Sequence, residues 1–171
     1  MAFESILIIA NALTMLEARD NEHRSYVELV EVLEEHSPRA SEDIQEVWRR
    51  VAFSLLISNT DDHLRNHGFL RAATGWTLSP AFDLNPAPDG RGVLSTAIED
   101  ARDRSASVDL LISAAPSFRI TDVGAELRRL LAGTSRWRDL AERYGVAREI
   151  PRLEPAFEHA RRGDAIRAAG G

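Results

Sequence analysis

The chain has 171 residues, enough for one domain with a buried core, and a net charge of −6 without a basic stripe, which argues against direct nucleic-acid binding. No apolar run reaches the roughly 18 residues that a membrane span needs. The chain contains no cysteine, which excludes disulfides and thiolate metal sites and fits a cytoplasmic protein, and all 21 basic residues are arginine.

The first part of the chain predicts two helices after an apolar segment of undetermined type. Residues 3–16 are apolar with small residues interspersed, and their periodicity does not distinguish strand from helix. Ser25 is a suitable N-cap for a helix that ends before Pro38. Ser41, followed by two acidic residues, predicts the start of a second helix. This helix becomes apolar on all sides over residues 51–57, so we expect its C-terminal end to lie in the core.

A β-hairpin is predicted in the middle of the chain. Two short segments, residues 68–71 and 76–78, flank Ala73-Thr74-Gly75, which is typical of a hairpin turn. Residues 86–92 are rich in proline and glycine and predict a surface loop.

Further helices are predicted toward the C-terminus, where capping residues or proline precede apolar positions at helical spacing. The sequence therefore predicts one mainly α domain over residues 1–171, a bundle of about six helices with one small β-hairpin. The C-terminal helices are predicted over 108–115 after Ser107, from Thr121 through Leu131 and on toward Tyr144, and over 151–162, with a flexible tail at 163–171.

The loop that follows the second helix carries the most informative pattern. It reads SNTDDHLRNHGFL over residues 58–70, with His63 two residues and Asn66 five residues after Asp61. A further acid, Asp83, follows the hairpin. An Asp with an Asn at this spacing and a later Asp is typical of a phosphotransferase catalytic loop.

Phosphoryl transfer needs an acceptor hydroxyl held in line and positive charge on the phosphate oxygens. Asp61 is the candidate general base for the hydroxyl. Asn66 and Asp83 offer the oxygen ligands that Mg²⁺ prefers. His63 is placed to contact a phosphate oxygen and is counted with the catalytic residues. The sequence thus predicts ATP and Mg²⁺ as cofactors, with His63, Asn66 and Asp83 on the nucleotide side.

The same residues resemble HipA-type serine/threonine kinases, the toxins of bacterial toxin–antitoxin pairs. The family's loop reads roughly N-x-D-x-H-x-x-N, followed by a hairpin and L-x-P-x-[YF]-D. Residues 59–66 read NTDDHLRN here, and residues 78–83 read LSPAFD. The resemblance runs from about Ala12 to Glu158 and implies the helical C-terminal lobe of such a kinase.

The resemblance also implies roles and partners. Asp61 would be the catalytic base, and Asn66 and Asp83 would be the metal ligands. A helix-turn-helix antitoxin would be the partner, and the acceptor would be a Ser or Thr of a protein involved in translation. The family's phosphate-binding loop and lysine belong to an N-terminal lobe, and this sequence contains neither. We therefore expect another lobe or chain to complete the site, with weak or absent ATP binding and no transfer by this chain alone.

Two other functions fit parts of the sequence. The lack of lysine favours a non-catalytic helical interaction module, derived from a kinase, that binds an antitoxin or another partner chain. A metal hydrolase would use Asp61, Asp62, His63 and His67, but these residues are nearly consecutive and their side chains are expected to point in different directions. Asp62 itself is expected to be solvent-exposed and without a role.

Overall fold

The computed structural model describes residues 9–19, 22–89 and 92–170. The protein is mainly helical with a small antiparallel sheet of three strands, which confirms the predicted fold class. None of the helices in these three ranges is both long and apolar enough to cross a bilayer. The strands are β1 (Ile9–Asn11), β2 (Gly68–Ala72) and β3 (Gly75–Leu78), and the α-helices are α1 (Ala12–Met15), α2 (Tyr26–His36), α3 (Ala40–Leu56), α4 (Val108–Ser113), α5 (Val123–Thr134), α6 (Trp137–Arg143), α7 (Ile150–Phe157) and α8 (Ala160–Ala168).

Helix α3 is the centre of the fold and contacts α2, α4, α5 and α8. Its Trp48 is completely buried, and the indole N–H donates to the backbone carbonyl of Leu111 at 2.9 Å. Six further apolar side chains of α3 are buried around it. This confirms the prediction that the C-terminal end of this helix lies in the core. The buried apolar residues of α3 besides Trp48 are Ile44, Val47, Val51, Ala52, Leu55 and Leu56.

The two predicted N-terminal helices are present, and the start of α3 differs slightly from the prediction. Ser25 directly precedes α2, and its backbone N–H donates to the Glu28 carboxylate at 3.4 Å. Helix α3 begins at Ala40, with no capping role for Ser41. The carboxylate of Asp43 is buried and accepts hydrogen bonds from the Ser37 hydroxyl and the Leu78 backbone N–H. Tertiary contacts therefore determine how this helix begins.

The apolar N-terminal segment contributes a strand that the sequence left undetermined, and its residues 3–8 lie outside the described ranges. Strand β1 pairs with β2, which forms the predicted hairpin with β3. Gly75 in the hairpin turn has a φ of +149°, and a Cβ added there would lie 2.4 Å from the His36 carbonyl oxygen. The close approach of the turn to α2 thus requires glycine. Residues 86–87 of the predicted surface loop have no regular structure, and residues 88–89 form a turn.

Two predicted C-terminal helices are each interrupted. The helix expected from Thr121 to Tyr144 is divided into α5 and α6, and the cap of α5 is Asp122, which accepts from the Ala125 N–H at 2.8 Å. The division lets Trp137 stack on Phe157, with ring centroids 4.5 Å apart, in a second small apolar cluster.

The helix expected over residues 151–162 is divided into α7 and α8. His159 caps α8, because its Nδ1 accepts from the Arg162 backbone N–H at 3.2 Å. Residues 163–168, for which the sequence predicts a flexible tail, belong to α8. Ala165 in this helix is buried, and α8 packs on α3 and α5.

Candidate active site

The loop between α3 and β2, residues 57–67, begins at the buried end of α3. Ser58 has a φ of +55°, which reverses the chain direction directly after the helix. Its hydroxyl accepts from Arg161 of α8 at 2.8 Å, and the next residue, Asn59, donates its backbone N–H to the Ser54 carbonyl at 2.8 Å. The start of the loop is therefore held by both helices.

Asp62 is the buried anchor of this loop, and the expectation that it is solvent-exposed is wrong. Only 1% of its surface is exposed. The Ser54 hydroxyl donates to its Oδ2 at 3.2 Å, and Nε2 of His67 lies 3.1 Å from its Oδ1. The Tyr26 hydroxyl donates to its backbone carbonyl at 2.9 Å. Helix α2, helix α3 and the start of β2 thus converge on one residue.

The charge state of Asp62 follows from these partners. Burial alone raises the pKa of its carboxyl, but the His67 imidazole and the hydrogen bonds from Tyr26 and Ser54 outweigh burial and hold the pKa below its ordinary value. Burial, reinforced by the Asp62 charge, raises the pKa of Tyr26 well above its ordinary value. At neutral pH, the loop therefore contains an ionised, fully bonded aspartate next to a neutral phenol.

Asp61 faces the opposite way and is exposed. Ser95, from the segment before α4, donates its backbone N–H to the Thr60 carbonyl at 3.0 Å. The Ser95 hydroxyl lies 3.1 Å from the same carbonyl and 3.4 Å from Oδ1 of Asp61. The backbone on both sides of Asp61 is fixed while its carboxylate stays open to solvent. Sequence reasoning missed Ser95, because nothing in the chain order links residue 95 to the loop.

Asn66 closes the loop from the other side. It ends a short 3₁₀ turn, residues 64–66, and is buried. Its amide nitrogen donates to the Asp61 backbone carbonyl at 3.4 Å. Because the nitrogen is used in this way, the amide oxygen is the atom suited to a cation.

His63 lies with Asp61 on the wall of one cavity of about 340 Å³. The side chain is half-buried, and its Nδ1 is buried without a hydrogen-bond partner in the part of the chain that the structure describes. Buried polar atoms are normally bonded, so an unpaired nitrogen in a polar cavity is suited to a polar ligand.

Asp83 lies on the segment after β3 and is exposed. Its φ is +56°, an unusual conformation for a residue other than glycine, and the Asn85 amide donates to its Oδ1 at 2.6 Å. The preceding Phe82 lies 3.1 Å from the position that a Cβ on Gly68 would occupy. This segment thus folds back onto the start of β2, two residues beyond Asn66.

The predicted site residues do not all lie in one cavity. Asp61 and His63 line the same cavity, whereas Asn66 and Asp83 do not line it. Asn66 reaches Asp61 through the backbone carbonyl only. Within the described ranges, no group of three or more His, Asp or Glu side chains is arranged to hold a metal ion. The hydrolase set is separated, because Asp62 and His67 are bonded to each other in the interior.

The cavity beside Asp61 has an arginine-rich wall. Arg19 and Arg24 line it from the segment before α2, and Arg104 lines it from the segment before α4. Arg24 is paired with the carboxylate of Glu22 at 3.0 Å. An exposed carboxylate therefore shares this cavity with guanidinium groups that favour anions.

Comparison with protein families matches residues 5–159 to the HipA-like C-terminal domain. The match covers most of the chain and includes every predicted site residue. No curated protein matches the sequence significantly. The family match confirms the resemblance that the loop and the hairpin motif indicate.

Proposed function

The chain belongs to the HipA-like C-terminal domain family, and from this premise we propose that it is the catalytic C-terminal lobe of a protein serine/threonine kinase. The reaction is transfer of a phosphoryl group from Mg·ATP to a protein hydroxyl. One observation carries the proposal: Asp61 presents an open carboxylate on a loop whose adjacent residues are rigidly bonded. The carboxylate accepts a hydrogen bond from the acceptor hydroxyl and takes its proton during transfer.

The bonded loop supports this role because positioning is the main contribution that a protein makes to phosphoryl transfer. Asp62 fixes the loop to α2, α3 and the start of β2 through its side chain and carbonyl. Ser95 and Asn66 fix the carbonyls of Thr60 and Asp61. The Asp61 carboxylate is therefore already in position when a substrate binds, and the loop does not have to become ordered during the reaction.

Asn66 and Asp83 are the residues that would hold Mg²⁺, through the amide oxygen and the carboxylate. Both offer hard oxygen ligands, as this cation prefers. Bound Mg·ATP supplies the phosphoryl group and the positive charge on its oxygens. His63, with its unpaired Nδ1, is proposed to contact a phosphate oxygen.

An N-terminal lobe, covalently joined or separate, is proposed to supply the lysine and the backbone N–H groups that cradle phosphates. For that reason we expect the present chain to bind Mg·ATP weakly or not at all by itself. The family suggests a toxin–antitoxin context. Within it we propose a helix-turn-helix antitoxin as partner, a protein of the translation apparatus as acceptor, and a cytoplasmic location.

Reconstitution tests this function. The chain is combined with a family N-terminal lobe, fused or in trans, and transfer of labelled phosphate from Mg·ATP to protein Ser or Thr is measured. Asp61→Asn is expected to lower the rate at least about 100-fold, because an amide matches the carboxylate in shape but accepts a proton poorly. Asp83→Asn is expected to lower turnover, with partial recovery in excess Mg²⁺. Asp89→Asn, an exposed acid on the following turn, is the matched control and should remain active.

A non-catalytic interaction module is the second candidate, and an exposed apolar surface favours it. Leu140, Tyr144 and Val146 are 38%, 73% and 44% exposed around a groove that Trp137 and Phe157 also line. If the reconstituted protein stays inert, or if Asp61→Asn transfers phosphate as fast as the unchanged chain, the kinase function is overturned in favour of the interaction module.

A further inference from the structure

We propose that the cavity beside Asp61 binds an acidic segment of the acceptor protein, with Arg104 and Arg19 contacting carboxylates that flank the target hydroxyl. The inference rests on the proposed kinase function and adds the chemical class of its substrate. The ligand is a polypeptide segment with Asp or Glu close to a Ser or Thr.

The position of the cavity places it on the acceptor side of the site. Asp61, the proposed base, lines it, whereas the proposed metal ligands Asn66 and Asp83 do not. Nucleotide phosphates must reach those ligands, so in this cavity they meet only the wall at His63, the proposed phosphate contact. The rest of the cavity, whose total volume is about 340 Å³, is available to the group that Asp61 deprotonates.

Ser95 shows that a hydroxyl can reach Asp61 from this cavity. Its side chain lines the cavity, and its Oγ lies 3.4 Å from Oδ1 of Asp61. A hydroxyl from a bound polypeptide can approach the same carboxylate from the same side. The cavity thus has the geometry that an acceptor needs, as well as the volume.

The charge of the cavity wall selects an acidic ligand. The whole chain has a net charge of −6, yet among the described residues that line this cavity Arg19, Arg24 and Arg104 lie with two carboxylates, Glu22 and Asp61. Arg24 is already neutralised by Glu22 at 3.0 Å and Glu28 at 3.7 Å. A locally positive wall in an acidic protein attracts carboxylates and repels basic segments.

Arg104 is the residue best placed to make the contact. Its backbone carbonyl accepts from the Leu94 N–H at 2.7 Å, which fixes the main chain. Its guanidinium makes no hydrogen bond or ion pair with any residue of the described ranges, and the side chain is only partly exposed. A guanidinium held at a cavity wall without a partner is suited to bidentate pairing with a carboxylate.

Direct binding tests the inference without nucleotide. The probe is a fluorescent peptide, Gly-Glu-Glu-Ser-Glu-Glu-Gly, and the control peptide has Gln in place of each Glu. Fluorescence anisotropy at low salt is expected to show binding of the Glu peptide only, weakening as salt rises. Arg104→Gln should weaken binding about fivefold or more, the effect of one charge pair at contact distance in water. Arg102→Gln, an exposed arginine that pairs with Asp100 outside the cavity, should bind as the unchanged chain does.

Arg104→Gln removes a charge without touching the backbone bond, and unchanged thermal unfolding should confirm that the variant is folded. Equal binding of the Gln peptide, or unchanged binding by Arg104→Gln, overturns the inference. Loss of Mg·ATP binding when Arg104→Gln is introduced into the protein reconstituted with the N-terminal lobe also overturns it, because the cavity would then be on the nucleotide side.

The proposed function can fail independently of this inference. A reconstituted protein that transfers phosphate but is indifferent to Arg104→Gln and to Glu-to-Gln changes in the peptide supports the kinase and overturns the acidic acceptor. An inert reconstituted protein that still binds the Glu peptide through Arg104 overturns the kinase and supports an acidic ligand in this cavity.

Discussion

Replacing Asp62 with Asn tests whether the buried carboxylate anchors the candidate catalytic loop. The side chain is 1% exposed and bonds Ser54 at 3.2 Å and His67 at 3.1 Å. Asn has almost the same shape, so the substitution leaves no cavity. It removes the charge and makes one of the two side-chain atoms a donor.

The expected loss of stability follows from these contacts. A hydrogen bond to a charged group contributes about 1.5–3 kcal/mol, and a buried group left without its partner is destabilised by about 1–3 kcal/mol. The amide oxygen of Asn still accepts one of the two hydrogen bonds, so we expect a net loss of about 1–3 kcal/mol. For a chain of this size, that lowers the midpoint of thermal unfolding by roughly 2–12 °C.

Thermal and urea unfolding followed by circular dichroism measure the effect. Asp61→Asn is the matched control in the adjacent position. Its carboxylate is exposed, and its hydrogen-bond contact with Ser95 within the described ranges is at 3.4 Å, so the free energy of unfolding should change by less than about 0.5 kcal/mol. A double-mutant cycle of Asp62→Asn with His67→Gln should give a coupling energy of about 0.5–3 kcal/mol.

An Asp62→Asn variant whose stability matches that of Asp61→Asn would refute the anchoring role of the Asp62 carboxylate. A coupling energy of zero between positions 62 and 67 would refute it as well. Either result would mean that the pair is not what holds the loop.

Two further predictions concern acid and the hairpin turn. The pKa of Asp62 in the folded protein lies below its ordinary value of 3.8, so the contribution of this carboxylate to stability is complete above that pH and is lost as pH falls through the lowered value. In acid unfolding, the stability difference between the unchanged chain and Asp62→Asn should therefore shrink below about pH 4. A difference that stays constant down to about pH 2 would contradict this. Gly75→Ala should destabilise the protein by more than about 1 kcal/mol, because its Cβ would lie 2.4 Å from the His36 carbonyl oxygen. Gly133→Ala, in α5 with nothing within 4 Å, is the control in urea unfolding and should be neutral or stabilising by up to about 1 kcal/mol; equal effects of the two substitutions would argue against the close approach.

The sequence by itself determined the elements whose signals are local. The cap at Ser25, the apolar face of α3 and the hairpin around Gly75 depend on neighbours a few residues apart, and all three are present. The motif spacing at residues 59–66 and 78–83 indicated the family, because such a motif is contained in short stretches of chain. The roles of Asp61, His63, Asn66 and Asp83 remain predictions.

Only the tertiary structure decided which side of the loop faces the interior. Asp61 and Asp62 are chemically identical neighbours, and their exposure differs because Tyr26, Ser54 and His67 surround one of them. The breaks between α5 and α6 and between α7 and α8 also depend on tertiary contacts. Trp137 stacks on Phe157, and His159 caps α8 while its Nε2 lies 3.2 Å from the Leu56 carbonyl. Contacts between residues that are distant in the chain produce no periodic pattern in the sequence, so no local pattern could have predicted them.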